Sequence, residues 1–256
     1  MHTQIMNSTD ILLNHLRDLA ERSYNNNMYT FSSFLSESEI AEFMSIEREL
    51  SYAGITVSGG IETAERCVIR FGRESDLGYD QPFPISCLMV QPLMKKFGED
   101  LGHRDYLGAL MSLGIERELL GDIIIADKTA YIFCLDHIAE YIKEKLVQIR
   151  HTSVKVDIAD SLPEAIAPRL DRRQLIVSSE RLDAVVSKLY NLSRSQAQEL
   201  FKSKKIFVNG LQCENTSYAP KPDSRISVRG FGKFIYAGMD GMTGKGRCKV
   251  SIDVYI

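Results

Sequence analysis

Residues 181–211 restrict the possible fold more than any other stretch, because signals for two helices and a hairpin follow one another there. Apolar residues recur at helical spacing in its first third, and a second stripe begins after Ser193, where Gln196 completes a capping box. Residues 206–208 have the composition of a strand, and Asn209-Gly210 after them is the strongest short hairpin signal. The residues predicted to face the core of this unit are Leu182, Val185, Val186, Leu189, Ala197, Leu200 and Phe201.

Basic residues are concentrated in the same part of the chain. Residues 181–256 hold 13 Lys and Arg against 6 Asp and Glu, a net charge of +7. Residues 1–180 hold the other 18 basic and 28 acidic residues, a net charge of −10. A basic segment attached to an acidic body indicates a local site for a polyanion. Charge alone fits equally well with clustering on a solvated surface.

Arg194 stands in the first turn of the second predicted helix, where the helix dipole disfavours a cation by a few tenths of a kcal/mol. A phosphate bound at the helix start would compensate, because the free backbone N–H groups and the guanidinium would both bind it. Gln198 and Lys202 follow at i+4 and i+8 on the same side, and Lys204 and Lys205 close the patch. The alternative is a solvated amphipathic helix whose charges make no specific contact.

The motifs RLD at 181–183, SR at 193–194, the Lys-rich turn and VNG at 208–210 resemble the small RNA-binding domain named after ribosomal small-subunit protein four, here called the S-four-type domain. The resemblance implies two helices packed on a small bent sheet, with basic residues gripping RNA phosphates. Lys204 departs from the family, which often has a left-handed glycine there, so we expect a different helix cap. The predicted RNA-binding residues are Arg181, Ser193, Arg194, Gln198, Lys202, Lys204, Lys205, Asn209, Arg229, Lys233, Lys245 and Arg247.

A wider resemblance covers roughly residues 85–256. The segment HRDYLGALMSLGIERELLGDIII at 103–125, the S-four-type domain, ISVRGFGKF at 226–234 and TGKGR at 243–247 together resemble the YlmH family. This resemblance implies a ribosome-associated factor that binds large-subunit rRNA and peptidyl-tRNA during rescue of stalled large subunits. C-terminal tailing of the nascent chain occurs in that process, so a tailing factor is an implied partner. Genes of the family often lie near cell-division genes.

The rest of the chain predicts an α+β protein with three parts. Residues 1–80 indicate a small α/β unit, with helices over 10–22 and from Ser36 onward. Residues 81–178 show the β-α-β-β-α-β order of a ferredoxin-like, RNA-recognition-like domain, with a helical stretch over 103–119. Its predicted closing strand is 175–177, after a long connection at 157–174. Residues 179–256 form the S-four-type domain.

Several other classes of protein are disfavoured. No apolar run approaches the roughly 20 residues that span a bilayer, and no secretory signal is visible, so we expect a cytoplasmic protein. The cysteines are scattered, which favours reduced thiols, and no metal-ligand spacing, cofactor motif or catalytic residue is predicted. The alternatives kept open are an RNA-modifying enzyme with an unrecognised catalytic unit in 1–150, and an adaptor for cell-division or translation partners. The five cysteines are Cys67, Cys87, Cys134, Cys213 and Cys248.

Two aromatic segments mimic the strand motifs of RNA-recognition domains and would make Phe207 and Phe231 stacking residues. That interpretation needs a crossover helix in 212–228, a segment that holds two prolines and no helical stripe. The simpler interpretation of 229–236 is a glycine-punctuated strand, in which Arg229 and Lys233 are extra phosphate contacts.

RNA binding by this patch should depend strongly on salt. If Arg181, Arg194, Lys202, Lys204 and Lys205 neutralise about four or five phosphates, counterion release predicts a slope near −3 in a plot of log affinity against log salt concentration. Filter binding or fluorescence anisotropy over a salt series measures this slope. A flat response would show that phosphate contacts are not the source of affinity.

Overall fold

The structure is a computed structural model that describes residues 8–61, 64–94, 98–159 and 170–255. The chain divides into two compact units, Met1–Ala167 and Pro168–Ile256.

The first part of the N-terminal unit is a small three-stranded sheet with helices. Its strand order is β1-β3-β2, all antiparallel. The helix predicted from Ser36 onward is α2, which begins with a capping box formed by Ser36 and Glu39. In α1, Ile11 and His15 share the helical spacing of Leu12, Leu16 and Leu19 but are exposed, because the buried stripe runs through Leu16 and its neighbours. The elements are α1 (Ser8–Asn26), β1 (Thr30–Phe31), α2 (Glu37–Phe43), α3 (Glu47–Leu50), β2 (Ile55–Ser58), β3 (Val68–Phe71) and α4 (Glu74–Leu77).

The second part of this unit contains the predicted ferredoxin-like arrangement. Its sheet has the order β5-β6-β4-β8-β7 with antiparallel neighbours, so the four main strands take the 2-3-1-4 order of that fold. The helix predicted over 103–119 ends at Ser112, and Arg117–Leu119 is a separate 3₁₀ turn. The elements are β4 (Ile85–Pro92), α5 (His103–Ser112), β5 (Leu120–Ala126), β6 (Thr129–Leu135), α6 (Asp136–Lys145), β7 (Gln148–Ile149) and β8 (Thr152–Ile158).

The predicted closing strand was wrong. The closing strand of the ferredoxin-like sheet is β8, and residues 175–177 belong to β9 (Leu170–Val177) in the C-terminal unit. There β9 pairs along its whole length with β14 (Cys248–Tyr255). A strand-like composition does not say which sheet the strand joins, because its partners are distant in sequence. Of the connection predicted at 157–174, residues 160–169 lie outside the described residues.

Both faces of the ferredoxin-like sheet are buried. On one face, alternate residues of β6 such as Ile132 pack against α5 and α6. On the other face, Tyr131 and Phe133 of the same strand pack against Phe34, from the first part of the unit. The fit is close, since a Cβ atom on Gly121 would lie 2.7 Å from the Phe34 ring. The first part of the chain therefore forms a lid over the sheet face opposite the helices.

Polar contacts hold this lid in place. The Asp122 carboxylate accepts hydrogen bonds from the backbone N–H groups of Glu65 at 2.7 Å and Arg66 at 3.2 Å. The Arg66 guanidinium donates to the carbonyls of Phe34 and Leu120, both at 2.8 Å. Burial raises the pKa of Asp122, and its two backbone donors act in the opposite direction. These bonds satisfy groups that burial would otherwise leave unpaired.

The C-terminal unit packs two helices against a six-stranded antiparallel sheet of order β11-β10-β12-β13-β14-β9. All seven residues predicted to face the core do so, and Leu189 is the only one of them that is half-buried rather than buried. Asn209 and Gly210 have φ angles of 48° and 78° and join paired strands, as the hairpin signal predicted. The remaining elements are α7 (Leu182–Leu189), α8 (Arg194–Lys202), β10 (Ile206–Val208), β11 (Leu211–Gln212), β12 (Ser224–Val228) and β13 (Gly232–Met242).

Removing the aromatic anchor of the lid should destabilise the N-terminal unit. Phe34→Ala leaves a cavity between the lid and the sheet, and we expect a loss of about 3–5 kcal/mol in the free energy of unfolding. Denaturant unfolding measures it. The matched control is Ile11→Ala, which is 57 % exposed and should change stability by no more than about 0.5 kcal/mol. Equal small effects would mean that the lid is not closely packed.

Candidate nucleic-acid interface

The helix α8 begins with the predicted capping box. Ser193 Oγ accepts a hydrogen bond from the Gln196 N–H at 3.2 Å, and the Ser193 N–H donates to Gln196 Oε1 at 2.8 Å. Arg194 is the first helical residue, and its exposed side chain has no hydrogen-bond or ion-pair partner among the described residues. The amides of the first turn have no intrahelical acceptor, so this end of α8 offers N–H groups beside an unpaired guanidinium.

The other end of α8 is closed by a left-handed lysine. Lys204 has a φ of 58°, and its N–H donates to the Phe201 carbonyl at 3.1 Å. The Lys205 N–H donates to the Leu200 carbonyl at 2.9 Å. These two bonds form a Schellman motif, so the expectation of a different cap was wrong. Lys204 adopts a left-handed conformation that is usual for glycine, at a backbone cost of about 1–2 kcal/mol. The two hydrogen bonds to the carbonyls offset this cost.

Lysines near this cap join a second basic cluster. The carbonyl of Lys205 accepts a hydrogen bond from the Arg229 N–H at 2.9 Å, which brings the β12–β13 turn beside the end of α8. The Arg229 guanidinium lies over the Phe207 ring at 4.3 Å. Lys202 and Lys205 are exposed and have no side-chain partner among the described residues, while Lys204 lies 3.6 Å from the Glu214 carboxylate. An exposed pair of this kind contributes little and is easily exchanged for a phosphate.

Arg181 is held differently from the other predicted cations. Its guanidinium makes two hydrogen bonds to the buried Asp183 carboxylate, at 3.0 Å and 2.8 Å. The charge of Arg181 is therefore largely neutralised within the protein, and Arg181 is a weaker candidate for phosphate binding than Arg194.

Other predicted residues have structural tasks in this unit. The Ser193 hydroxyl is used in the capping box, and Asn209 Oδ1 accepts a hydrogen bond from the Arg225 N–H at 2.8 Å. Gln198 and Lys233 are half-buried. RNA binding by these four residues stays a prediction. The side chains of Ser193 and Asn209 are already engaged in hydrogen bonds within the protein.

Lys245 and Arg247 lie in the turn between β13 and β14, away from the cluster at Arg229. The turn begins at the far end of β13, a strand of 11 residues, roughly 30 Å along the sheet. Val177 pairs with Cys248 beside it. The twelve predicted residues therefore do not form one continuous patch.

Sequence reasoning missed Lys188 and gave Phe231 little weight. Lys188 is exposed in the last turn of α7 and, with Arg194, lines an open cavity of about 470 Å³. The signal available in the sequence was the position of Lys188 in the last turn of the helix that precedes α8. Phe231 is 44 % exposed on the β12–β13 turn. Residues 212–228 contain no helix, whereas the RNA-recognition interpretation of this region requires a crossover helix there. The rejection of that interpretation is therefore confirmed.

The ferredoxin-like sheet does not offer the usual RNA-recognition surface. Such domains stack bases on aromatic side chains of an open sheet face. Here Tyr131 and Phe133 are 8 % and 1 % exposed beneath the lid. His103 begins α5, and the Asp105 carboxylate accepts a hydrogen bond from the Gly102 N–H at 2.8 Å at that helix start. Among the described residues no group of three or more His, Cys, Asp or Glu is arranged to hold a metal ion.

The helices α7 and α8, packed on an antiparallel sheet with basic residues on α8, define an RNA-binding protein with an S4 domain. This is the domain called S-four-type in the sequence analysis. A family model described as "S4 domain" matches residues 180–226, and one described as "Putative RNA-binding domain in YlmH" matches residues 80–161. The chain is 30 % identical over 204 residues to the ribosome-associated protein quality control protein P2 of Bacillus subtilis (strain 168), covering 78 % of this chain and 77 % of the relative. The chain belongs to the YlmH family.

A solved structure is also similar. The cell division protein ylmH from Streptococcus pneumoniae matches with a TM-score of 0.47 and 15 % identity, over 62 % of this chain and 95 % of that one. Separately, no helix within the described ranges is long and apolar enough to cross a membrane.

Replacing the left-handed lysine should separate stability from binding. Lys204→Gly removes the backbone cost of the positive φ, so we expect the free energy of unfolding to hold or rise by up to about 1 kcal/mol. RNA affinity should fall, because one phosphate contact is lost. Thermal unfolding and RNA titration measure the two effects. A variant that loses stability would show that the lysine side chain is part of the cap.

Proposed function

We propose that this protein is a ribosome-associated RNA-binding factor that binds large-subunit rRNA through α8 and also contacts peptidyl-tRNA. The observation that carries the proposal is the pair of exposed, unpartnered cations on α8, Arg194 and Lys202. Support for the ribosomal setting comes from the Bacillus subtilis relative, whose name places it in ribosome-associated quality control. A role in rescue of stalled large subunits, together with a nascent-chain tailing factor, is part of the same proposal, as is a cytoplasmic location.

The spacing of the cations on α8 is suited to phosphate binding. Arg194 and Lys202 are eight residues apart, about 12 Å along the helix axis, so they reach different phosphates of one strand. Arg194 binds a phosphate together with the first-turn amides, whereas Lys202 and Lys205 act as mobile point charges. Such contacts position an RNA without reading its sequence, which suits a binder of folded rRNA.

The ferredoxin-like domain contributes in another way. Because the lid covers its sheet, an RNA contact by this domain would use its helices, loops or sheet edges. The acidic first part, with 13 acidic and 6 basic residues in 1–80, disfavours RNA and keeps open the adaptor alternative for this part alone. Cross-linking in cells followed by sequencing of the bound RNA tests the choice of rRNA and tRNA. Turnover of rRNA nucleosides by the purified protein would support the enzyme alternative instead.

The decisive variant is Arg194→Glu, measured for binding to purified large-subunit rRNA. We expect a loss of affinity of about tenfold or more, from one lost phosphate contact and one added repulsion. Stability should hold or rise slightly, because glutamate suits the first turn of a helix.

The matched control is Arg48→Glu. Arg48 is also an exposed arginine in the first turn of a helix, α3 in the acidic first part, and has no side-chain partner among the described residues. The two variants therefore change net charge alike. Equal losses of affinity would show a general charge effect and would remove Arg194 as a site, whereas unfolding of the Arg194 variant would make its role structural.

A further inference from the structure

The turn between β12 and β13 presents an exposed aromatic ring. Phe231 is 44 % exposed and lies between Gly230 and Gly232, whose φ angles are 87° and 132°. Glycine adopts these angles without strain, and the Phe231 N–H donates to the Val228 carbonyl at 2.9 Å. The turn is therefore short and constrained, and it holds a large apolar ring partly in solvent.

A second aromatic residue supports this ring from inside the unit. The rings of Phe231 and Tyr190 have centroids 5.3 Å apart, and Tyr190 also contacts the fully buried Phe234 at 6.5 Å. The Tyr190 hydroxyl is buried and has no hydrogen-bond partner among the described residues. Burial raises the pKa of Tyr190 to about 12, so the phenol stays neutral at physiological pH. The three rings therefore form a stack that supports Phe231 from below and continues into the core.

The aromatic turn is linked to residues near both ends of α8. After the last turn of α8, Arg229 of the aromatic turn donates its N–H to the Lys205 carbonyl. Before the first turn of α8, Tyr190, which contacts the Phe231 ring, precedes Arg194 by four residues. A polyanion that spans the cations at the two ends of α8 would therefore come close to Phe231.

We propose that Phe231 stacks against an unpaired base of the RNA whose phosphates bind α8. The inference rests on the proposed function and adds a base contact to it. Exposed aromatic rings bind unstacked bases through their π-faces without reading sequence, and one such base changes affinity about 5- to 150-fold. The ligand is thus a looped-out or bulged nucleotide in a structured RNA rather than a regular duplex.

The surrounding charges favour a base over an apolar protein pocket. Arg229 precedes Phe231 by two residues, and its N–H is bonded to the Lys205 carbonyl, so two cationic residues belong to this region. A hydrophobic protein surface that covered it would have to desolvate them. Next to RNA they meet phosphates instead. A protein partner for Phe231 would overturn the proposal.

A single-tryptophan reporter tests the contact directly, because the chain contains no tryptophan. Phe231→Trp should retain binding to purified large-subunit rRNA, and its fluorescence should be quenched on binding, since a base stacks on the indole. The control is Tyr52→Trp, at a position that is 43 % exposed but lies in the acidic first part of the chain. Its fluorescence should not change. Equal quenching, or none at Phe231→Trp while rRNA is bound, would overturn the proposal.

Affinity measurements separate stacking from phosphate binding. Phe231→Ala should weaken rRNA binding about 5- to 150-fold with an unchanged salt slope, whereas Arg194→Glu should also make the slope shallower by about 1. Phe231→Leu retains an apolar contact with Tyr190 and guards against unfolding, and it should lose a similar affinity because it has no π-face. Thermal unfolding is measured for each variant.

The possible failures are distinct. If Arg194→Glu weakens binding and both Phe231 variants do not, stacking is wrong and the phosphate site stands. If none of these variants changes rRNA affinity, the proposed function is wrong. If Phe231→Ala weakens binding to intact large subunits but not to naked rRNA, Phe231 contacts a protein and the base-stacking proposal falls.

Discussion

The two caps of α8 are the constraint on which the basic surface depends. The Ser193–Gln196 box sets the first turn, and the Schellman motif at Lys204 sets the last. Between them the helix holds Arg194 and Lys202 on one side while Leu200 and its neighbours face the core. The capping box contributes about 1 kcal/mol, a large effect for a helix of nine residues. Without it the cations would lose their common direction.

Pairing inside the protein decides which cations are free to bind RNA. Arg181 is neutralised by Asp183, and Arg229 is laid over Phe207, whereas Arg194 has no partner among the described residues. The net charge of +7 in 181–256 therefore overstates the number of phosphates that the surface can bind. Under the proposed function, RNA affinity and its salt dependence follow from the unpaired cations, since a partly buried bidentate pair is costly to open.

The lid over the ferredoxin-like sheet separates fold from function in the N-terminal unit. The strand order is that of domains that bind RNA on an open face, yet Phe34 and its neighbours occupy that face. A fold of this kind hosts many functions, so its presence alone assigns none. The polar contacts of Arg66 and Asp122 make the lid part of one packed unit.

Local signals in the sequence determined the helices, the N-terminal cap of α8 and the hairpin of the S4 domain, because capping boxes, stripes and Asn209-Gly210 act over a few residues. They also determined the first five elements of the middle β-α-β-β-α-β order, but not its closing strand, and singled out Arg194. Only the tertiary structure decided the sheet that β9 joins, the burial of Tyr131 and Phe133, and the pairing of Arg181 with Asp183. Sheet pairing, burial and ion pairing depend on partners brought together by folding, which patterns along the chain do not specify.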